Sequence, residues 1–299
     1  MHRADVHRDD SWQVTEGDQI TPELTVSRLL GGGAAYEAYL AFDEITHAPV
    51  VVKVLRPAQV SDGSSRRGLR REVRALAEIN HPVVVRGLRH ELDGDWPPHV
   101  VLELVDGPRL SSLLRRYGPL EPSQYLPLGI DIAAALHYLR HVGWVHLDIK
   151  PSNVIMGAPA RLIDLSVART VEEAADLRCP IGTDAYMAPE QCAPPATGTP
   201  SPASDVWGLG ATLFHAVAGV PAFPEGDPRA ERIEDRFPQV SRRPQLLPRT
   251  VPPVVERVVL ACLERRPEHR PTPGEVADAL EPVLAAQPRG RLAGFKVRS

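Results

Sequence analysis

The hydrophobic periodicity changes once along this 299-residue chain, and that change constrains the fold more than any other feature. Before residue 105 the apolar residues fall in short runs rich in Val and Leu and bounded by Gly, Pro or Asp: LTVSRLL at 24–30, PVVVKVL at 49–55 and HVVLELV at 99–105. Such runs predict strands. One helical pattern interrupts them, RRGLRREVRALAEI at 66–79, where Leu69, Val73 and Leu76 recur at i, i+4 and i+7. After the turn-like VDGP at 105–108 the period becomes helical. Residues 122–141 carry a stripe of Ile130, Ala134 and Leu136 to Leu139 behind a Pro-Ser start. Residues 204–219 predict a buried helix capped by Ser204, and 254–264 and 273–284 predict two more. The expectation is an α+β chain of two lobes joined near 104–108. Its division is a flexible segment at 1–19, a strand-rich lobe with one helix at 20–105, a mainly helical lobe at 106–285 and a flexible tail at 286–299. The Pro- and Arg-rich residues 221–252 read as an irregular surface excursion.

Charge narrows the function classes. Thirty-four Lys and Arg against 38 Asp and Glu give a net charge of −4, which argues against a nucleic-acid binder. No run approaches the roughly 18 apolar residues of a membrane span. The start, MHRADVHRDDSWQ, lacks the apolar core of a secretory signal, so a cytoplasmic location is expected. Cys179, Cys192 and Cys262 are odd in number and widely spaced, so reduced thiols are expected. Only three residues are Lys, at 53, 150 and 296, against 31 Arg. A Lys retained against such a bias marks a place where a compact ammonium works and a forked guanidinium does not. Lys53 and Lys150 are the candidates; Lys296 lies in the tail.

The densest chemistry is VHLDIKPSNVI at 145–155, followed from 161 by RLIDLSVART. Asp148, Lys150, Asn153 and Asp164 place two acids, an ammonium and an amide within 17 positions. This resembles the catalytic and metal-binding loops of the protein kinase family, usually written H-R-D-x-K-x-x-N and D-F-G. The resemblance covers roughly residues 22–285 and implies the two-lobed protein kinase fold. It implies that Asp148 takes the proton of an attacking hydroxyl, that Lys150 neutralises the moving phosphoryl, and that Asn153 and Asp164 hold Mg²⁺, or alternatively Mn²⁺. Lys53 matches the strand lysine on the ATP phosphates and Glu72 its helix partner. Leu30, Gly31, Gly33, Ala38, Val51, Glu103, Val105 and Ile155 match the rest of the ATP site. Leu76, four residues beyond Glu72, is expected to dock on the metal loop. Thr183 and Glu190 in GTDAYMAPE, Asp205 in SDVWGLG and Arg270 match the residues that anchor the activation segment and brace the catalytic loop.

Lys150 and Thr183 resemble Ser/Thr rather than Tyr kinases, and the segment ending in MAPE implies a protein substrate rather than a small molecule. The Arg, Ala and Pro bias fits GC-rich coding, so the resemblance is to the eukaryotic-like Ser/Thr kinases of bacteria.

Several departures matter. In LLGGGAAYEAYLA, at 29–41, Tyr36 stands at the third glycine of G-x-G-x-x-G and Ala38 at the valine. Val51 stands where most members have Ala, a volume exchange across the adenine with Ile155 below. Leu147 replaces the Arg of H-R-D, and Leu165-Ser166 replaces Phe-Gly. That Arg is the family's docking cation for a phosphorylated activation segment. Between Ser166 and Thr183 the only hydroxyl is that of Thr170, so receptor and phosphosite are missing together. The expectation is a kinase independent of activation-segment phosphorylation, with Glu172, Glu173 or Asp176 supplying fixed charge. Ser166 is expected to stiffen the metal loop by disfavouring positive φ. The alternative is a pseudokinase, a nucleotide-binding scaffold acting through partners. The Arg-rich helix face at Arg66, Arg67, Arg70, Arg71 and Arg74 reads as a solvated surface.

Overall fold

The structure, a computed structural model, describes residues 10–288. Period-two burial builds the first lobe. Along β3 (Tyr36–Asp43) every second residue is buried, and in β4 (Ala48–Leu55) Val50, Val52 and Val54 face inward. With β1 (Gln19–Thr21), β2 (Leu24–Gly32), β5 (Gly87–Glu91) and β6 (His99–Glu103) they form one antiparallel sheet, ordered β1-β2-β3-β4-β6-β5. One apolar cluster, including Val26, Tyr39, Val52 and Val101, belongs to this lobe alone. Val100 and Leu102, in contrast, join helix α1 (Gly63–Glu78) in a core continuous with the second lobe. Helix α1 starts earlier than its apolar stripe predicts because Asp62 caps it, accepting from the Ser65 N–H at 2.7 Å.

The second lobe is helical: α2 (Leu110–Tyr117), α3 (Pro122–His141), α4 (Val171–Ala175), α5 (Pro189–Cys192), α6 (Pro202–Ala218), α7 (Ile233–Arg236), α8 (Pro253–Cys262) and α9 (Pro273–Ala285). Short strands β7 (Trp144–Val145) and β10 (Arg169–Thr170) pair, as do β8 (Val154–Ile155) and β9 (Arg161–Leu162). Helix α6 is buried along most of its length, and Gly219 closes it at φ 75°. Its N-cap is Ser201, not Ser204; Ser204 lies inside the helix, buried, where its hydroxyl donates to Glu190. In α3, on which both α6 and α9 pack, the buried face carries Leu128, Ile132, Leu136 and Leu139, whereas Ala134 is exposed. Leu76 and Leu165 of the metal loop both belong to the continuous core.

Two segments differ from their sequence reading. Asp10–Asp18 is not loose: Trp12 donates its indole N–H to the Leu55 carbonyl at 2.7 Å, and Asp10 accepts from the Ala58 N–H at 2.7 Å. The 221–252 excursion is partly internal. Phe237 packs with Met187 and Cys192, and the Gln239 amide donates to the carbonyls of Asp184 and Met187, fastening the excursion under the segment they belong to. The first nine residues and the tail from 289, with Lys296, lie outside the described residues. Among the described residues no helix is long and apolar enough to cross a membrane.

Candidate active site

The loop between β7 and β8 gathers the polar groups singled out in the sequence. The Asp148 carboxylate accepts from the Thr183 hydroxyl at 2.8 Å, from Lys150 Nζ at 2.6 Å and from the Asn153 amide at 3.0 Å. Lys150 Nζ also reaches Thr183 Oγ1 at 2.5 Å. The same Asn153 nitrogen donates to the Asp148 carbonyl, which holds the loop in a tight turn and leaves the amide oxygen of Asn153 as its free ligand atom.

Asp205, buried in α6, accepts from the backbone N–H groups of His146 and Leu147, both at 2.7 Å. His146 Nδ1 accepts from the Asp148 N–H at 3.2 Å. Burial holds the His146 pKa below its ordinary value, and a neutral ring with Nδ1 as acceptor satisfies that bond. Leu147 sits in the left-handed region at φ 65°, an unfavourable place for a branched side chain. Its peptide is gripped from both sides, its N–H by Asp205 and its carbonyl by the Gln191 amide at 2.8 Å.

Across the cleft, Lys53 Nζ lies 2.8 and 2.9 Å from the two oxygens of Glu72 and 2.8 Å from Asp164 Oδ1. Burial works against the ammonium, but Asp164 and Glu72 override it and hold the Lys53 pKa above its ordinary value. Asp164 is only partly buried, its side chain 35% exposed, and Lys53 keeps its carboxyl well below the usual carboxylate range. Tyr36 does not leave the loop open as a glycine would: its ring lies 4.6 Å from Lys53 Nζ, a cation–π contact that covers the ion pair. The positive φ of the metal loop, 72°, falls on Asp164 rather than Ser166, so Ser166 carries no backbone strain. Its N–H donates to Asp164 Oδ1 at 3.3 Å instead, which supports the carboxylate.

The candidate nucleotide residues lie on the facing strands and on the connection between lobes. Ala38 pairs with Lys53, and Val51 pairs with Leu102 just before the connection. Leu30 and Val105 are half-buried. Ile155 abuts that connection at Gly107, where a side chain would come within 3.0 Å of it. The Glu103 side chain is held by the guanidinium groups of Arg86 and Arg161, a partnership between the lobes that sequence reasoning missed. Gly31 takes φ 134° and requires glycine, whereas a Cβ on Gly33 would meet open space. The missed residue is Gly32, whose Cβ would lie 2.3 Å from the Tyr36 carbonyl oxygen.

The segment from Asp164 to Glu190 is fastened twice. At its end, Arg270 forks onto Glu190 at 2.6 and 2.9 Å with both side chains 0% exposed, and spends its other donors on the carbonyls of Ala203, Glu264 and Arg265. Nearer its start, Val145, Leu147 and Ala174 form a small apolar cluster with Val167, Val171, Leu177 and Ile181 packed around it. There Thr170 caps α4, and Glu173 reaches Arg74 of α1 at 2.8 Å. Arg169 is drawn down to about 10 by burial and by the nearby Arg71 and Arg74, against the pull of Glu173. Thus Arg71 and Arg74, expected as a solvated face, help form a basic corner occupied by Glu173. Arg66 and Arg70 pair with Asp93 instead.

Asn153 and Asp164 offer hard oxygen ligands, the chemistry that suits Mg²⁺ shared with phosphates. No group of three or more His, Cys, Asp or Glu side chains among the described residues forms a self-sufficient metal cage. A two-ligand site of this kind fits a metal that arrives with its nucleotide. A family model described as protein kinase domain matches residues 24–280. The chain is 30% identical over 289 residues to the serine/threonine-protein kinase PknB of Mycobacterium leprae, covering 92% of this chain and 45% of that protein. It is 30% identical over 272 residues to PknB of Mycobacterium tuberculosis and to that of Mycolicibacterium smegmatis, covering 86% of this chain and 42% of each. The chain therefore spans less than half the length of these relatives.

Proposed function

This chain belongs to the protein kinase family, and from that premise we propose that it transfers the γ-phosphate of Mg-ATP to Ser or Thr hydroxyls of proteins, without requiring phosphorylation of its activation segment. The observation that carries the reading is the Asp148 carboxylate held at once by Lys150, Thr183 and Asn153. The Thr183 hydroxyl donates to Asp148 as a substrate hydroxyl would. One oxygen of Asp148 accepts a hydroxyl proton there already, and a substrate Ser or Thr oriented the same way becomes a nucleophile as Asp148 takes its proton. Lys150, 2.6 Å from that carboxylate, supplies the fixed positive charge next to the transferring group. Lys53 turns its ammonium to the phosphates while Glu72 keeps it placed. Asn153 and Asp164 would hold the metal, which when bound neutralises phosphate charge. Leu30, Gly31, Gly33, Ala38, Val51, Val105, Ile155 and the backbone at Glu103 enclose the nucleotide.

Independence from phosphorylation rests on the residues at the segment's start. Leu147 fills with apolar contact the position where the family docks a phosphate, and Glu173 supplies to Arg74 the negative charge that a phosphate would bring. The scaffold alternative draws on Tyr36, Leu147 and Ser166; against it, Lys53 is paired with Glu72 and Asp164 on one side of the cleft, and Asp148 is bonded to Asn153 on the other. The test is label transfer from γ-labelled ATP to myelin basic protein by the wild type and by Asp148→Asn. Label on Ser or Thr that vanishes in the variant is the expected result. No transfer by the wild type, with ATP still raising its melting temperature, would establish the scaffold.

A further inference from the structure

The turn that links β2 to β3 is gripped from outside by a single residue. Gly33 closes the turn by donating to the Tyr36 carbonyl at 3.0 Å. Its own carbonyl accepts from Arg56 Nε at 2.9 Å, and the Ala35 carbonyl accepts from the Arg56 N–H at 3.0 Å. Arg56, at the end of β4, is only 8% exposed. A cation so buried stays in place only when its remaining donors are used. One of its terminal nitrogens bonds the Asp10 carbonyl at 2.7 Å and Glu37 at 3.2 Å. Glu37 is itself buried, and its other oxygen accepts from the Tyr39 hydroxyl at 2.8 Å and the Trp12 N–H at 3.2 Å. Trp12 and Asp10 then stitch back to Leu55 and Ala58, on either side of Arg56. Every polar link in this chain of bonds, from the N-terminal segment to the turn, has a partner.

We propose that Asp10–Trp12 is a strap that, through Arg56 and Glu37, presets the Gly31–Tyr36 turn for the phosphates of the nucleotide. The proposal rests on the kinase reading for the identity of the ligand but not for the mechanics of the turn. A loop with exposed glycines and open space beneath Gly33 gains little order from its own side chains. Here the backbone of the turn is held by Arg56 and Glu37, while on the cleft side the Tyr36 ring lies over Lys53. Arg56, Glu37 and Trp12 are positioning residues: among the described residues their hydrogen bonds run to the turn, the strap, Leu55, Tyr39 and each other. Loosening the strap transfers the ordering cost of the turn to nucleotide binding and leaves the chemical step alone.

The test compares the full-length wild type with Trp12→Ala, which frees the strap, and with Arg56→Lys, which keeps a charge for Glu37 but cannot fork to Gly33 and Asp10 together. Amide hydrogen exchange at residues 33–36 is measured without nucleotide, and KM for ATP and kcat are measured with Mg²⁺. Both variants should exchange faster in the turn and show KM for ATP raised about fivefold with kcat within about twofold. Unchanged exchange and KM, or a fall in kcat at constant KM, would overturn the strap. A wild type that neither binds nor uses ATP would refute the kinase reading, and the exchange comparison would still decide whether the strap orders the turn.

Discussion

The two ends of the activation segment are fastened by opposite physics. Its C-terminal end is held by charge: Glu190 and Arg270 form a forked pair with no exposure and every donor used. Its N-terminal half is held by apolar packing around Leu147, with one half-exposed ion pair, Arg74 to Glu173, at the rim. The contrast shows where the segment is a fixed part of the lobe and where a family member would place a switch. In this chain that position holds the apolar cluster around Leu147 and the Glu173 carboxylate on Arg74.

If that contrast is right, breaking the charged end costs most. Arg270→Met leaves Glu190 buried without its partner and should lower stability by about 3–5 kcal/mol, with loss of phosphoryl transfer. Denaturant unfolding with a parallel activity assay measures both. Leu147→Ala should cost less, about 2–3 kcal/mol, because its cluster is small and its half-buried neighbours can close part of the cavity. Activity should fall with it, since Leu147 adjoins Asp148.

pH acts through the catalytic loop between them. The buried His146 accepts there from the Asp148 N–H, and its pKa is depressed, so the folded state binds fewer protons at this ring than the unfolded state. Its contribution is full above the ordinary His value of about 6.5 and declines as pH falls through that value toward the depressed one. The wild-type melting temperature should drop as pH falls below about 6.5, and His146→Gln, which can still accept from the Asp148 N–H, should flatten that part of the curve. The apolar cluster has no such dependence. The smallest effect belongs to Glu173→Gln. Its side chain is 39% exposed and that of Arg74 43%, so the stability change should stay below about 1 kcal/mol. The rate should fall two- to threefold at low salt, with the difference fading at high salt.

Much of the site was legible because its chemistry is local. Asp148, Lys150 and Asn153 fall within six positions, and the rarity of Lys pointed independently to Lys53 and Lys150. The large helices and the three Val-rich strands followed from periodicity for the same reason. What escaped was long-range or polar. Arg56 meets Asp10 across 46 positions, and Arg161 meets Glu103 across 58, so no window reveals either pair. Strand β5, GLRHE, carries no apolar alternation and is a strand only because β6 supplies its partner. Ser201 capped α6 in place of Ser204 because the Pro at 202 takes the first helical position, where its missing N–H costs nothing. Gly32 was hidden by its two glycine neighbours, since only the approach of the Tyr36 carbonyl singles it out.

The measurement that bears most directly on the account is the initial rate of phosphoryl transfer by phosphatase-treated protein, shown by intact mass to carry no phosphate. It would be followed from the first seconds after ATP addition, for the wild type and for Thr170→Ala. The account predicts a linear start with no lag and rates within about threefold of each other, the small loss reflecting the missing helix cap. A lag removed by preincubation with ATP, together with a loss of orders of magnitude in Thr170→Ala, would show that the segment is switched by phosphate after all.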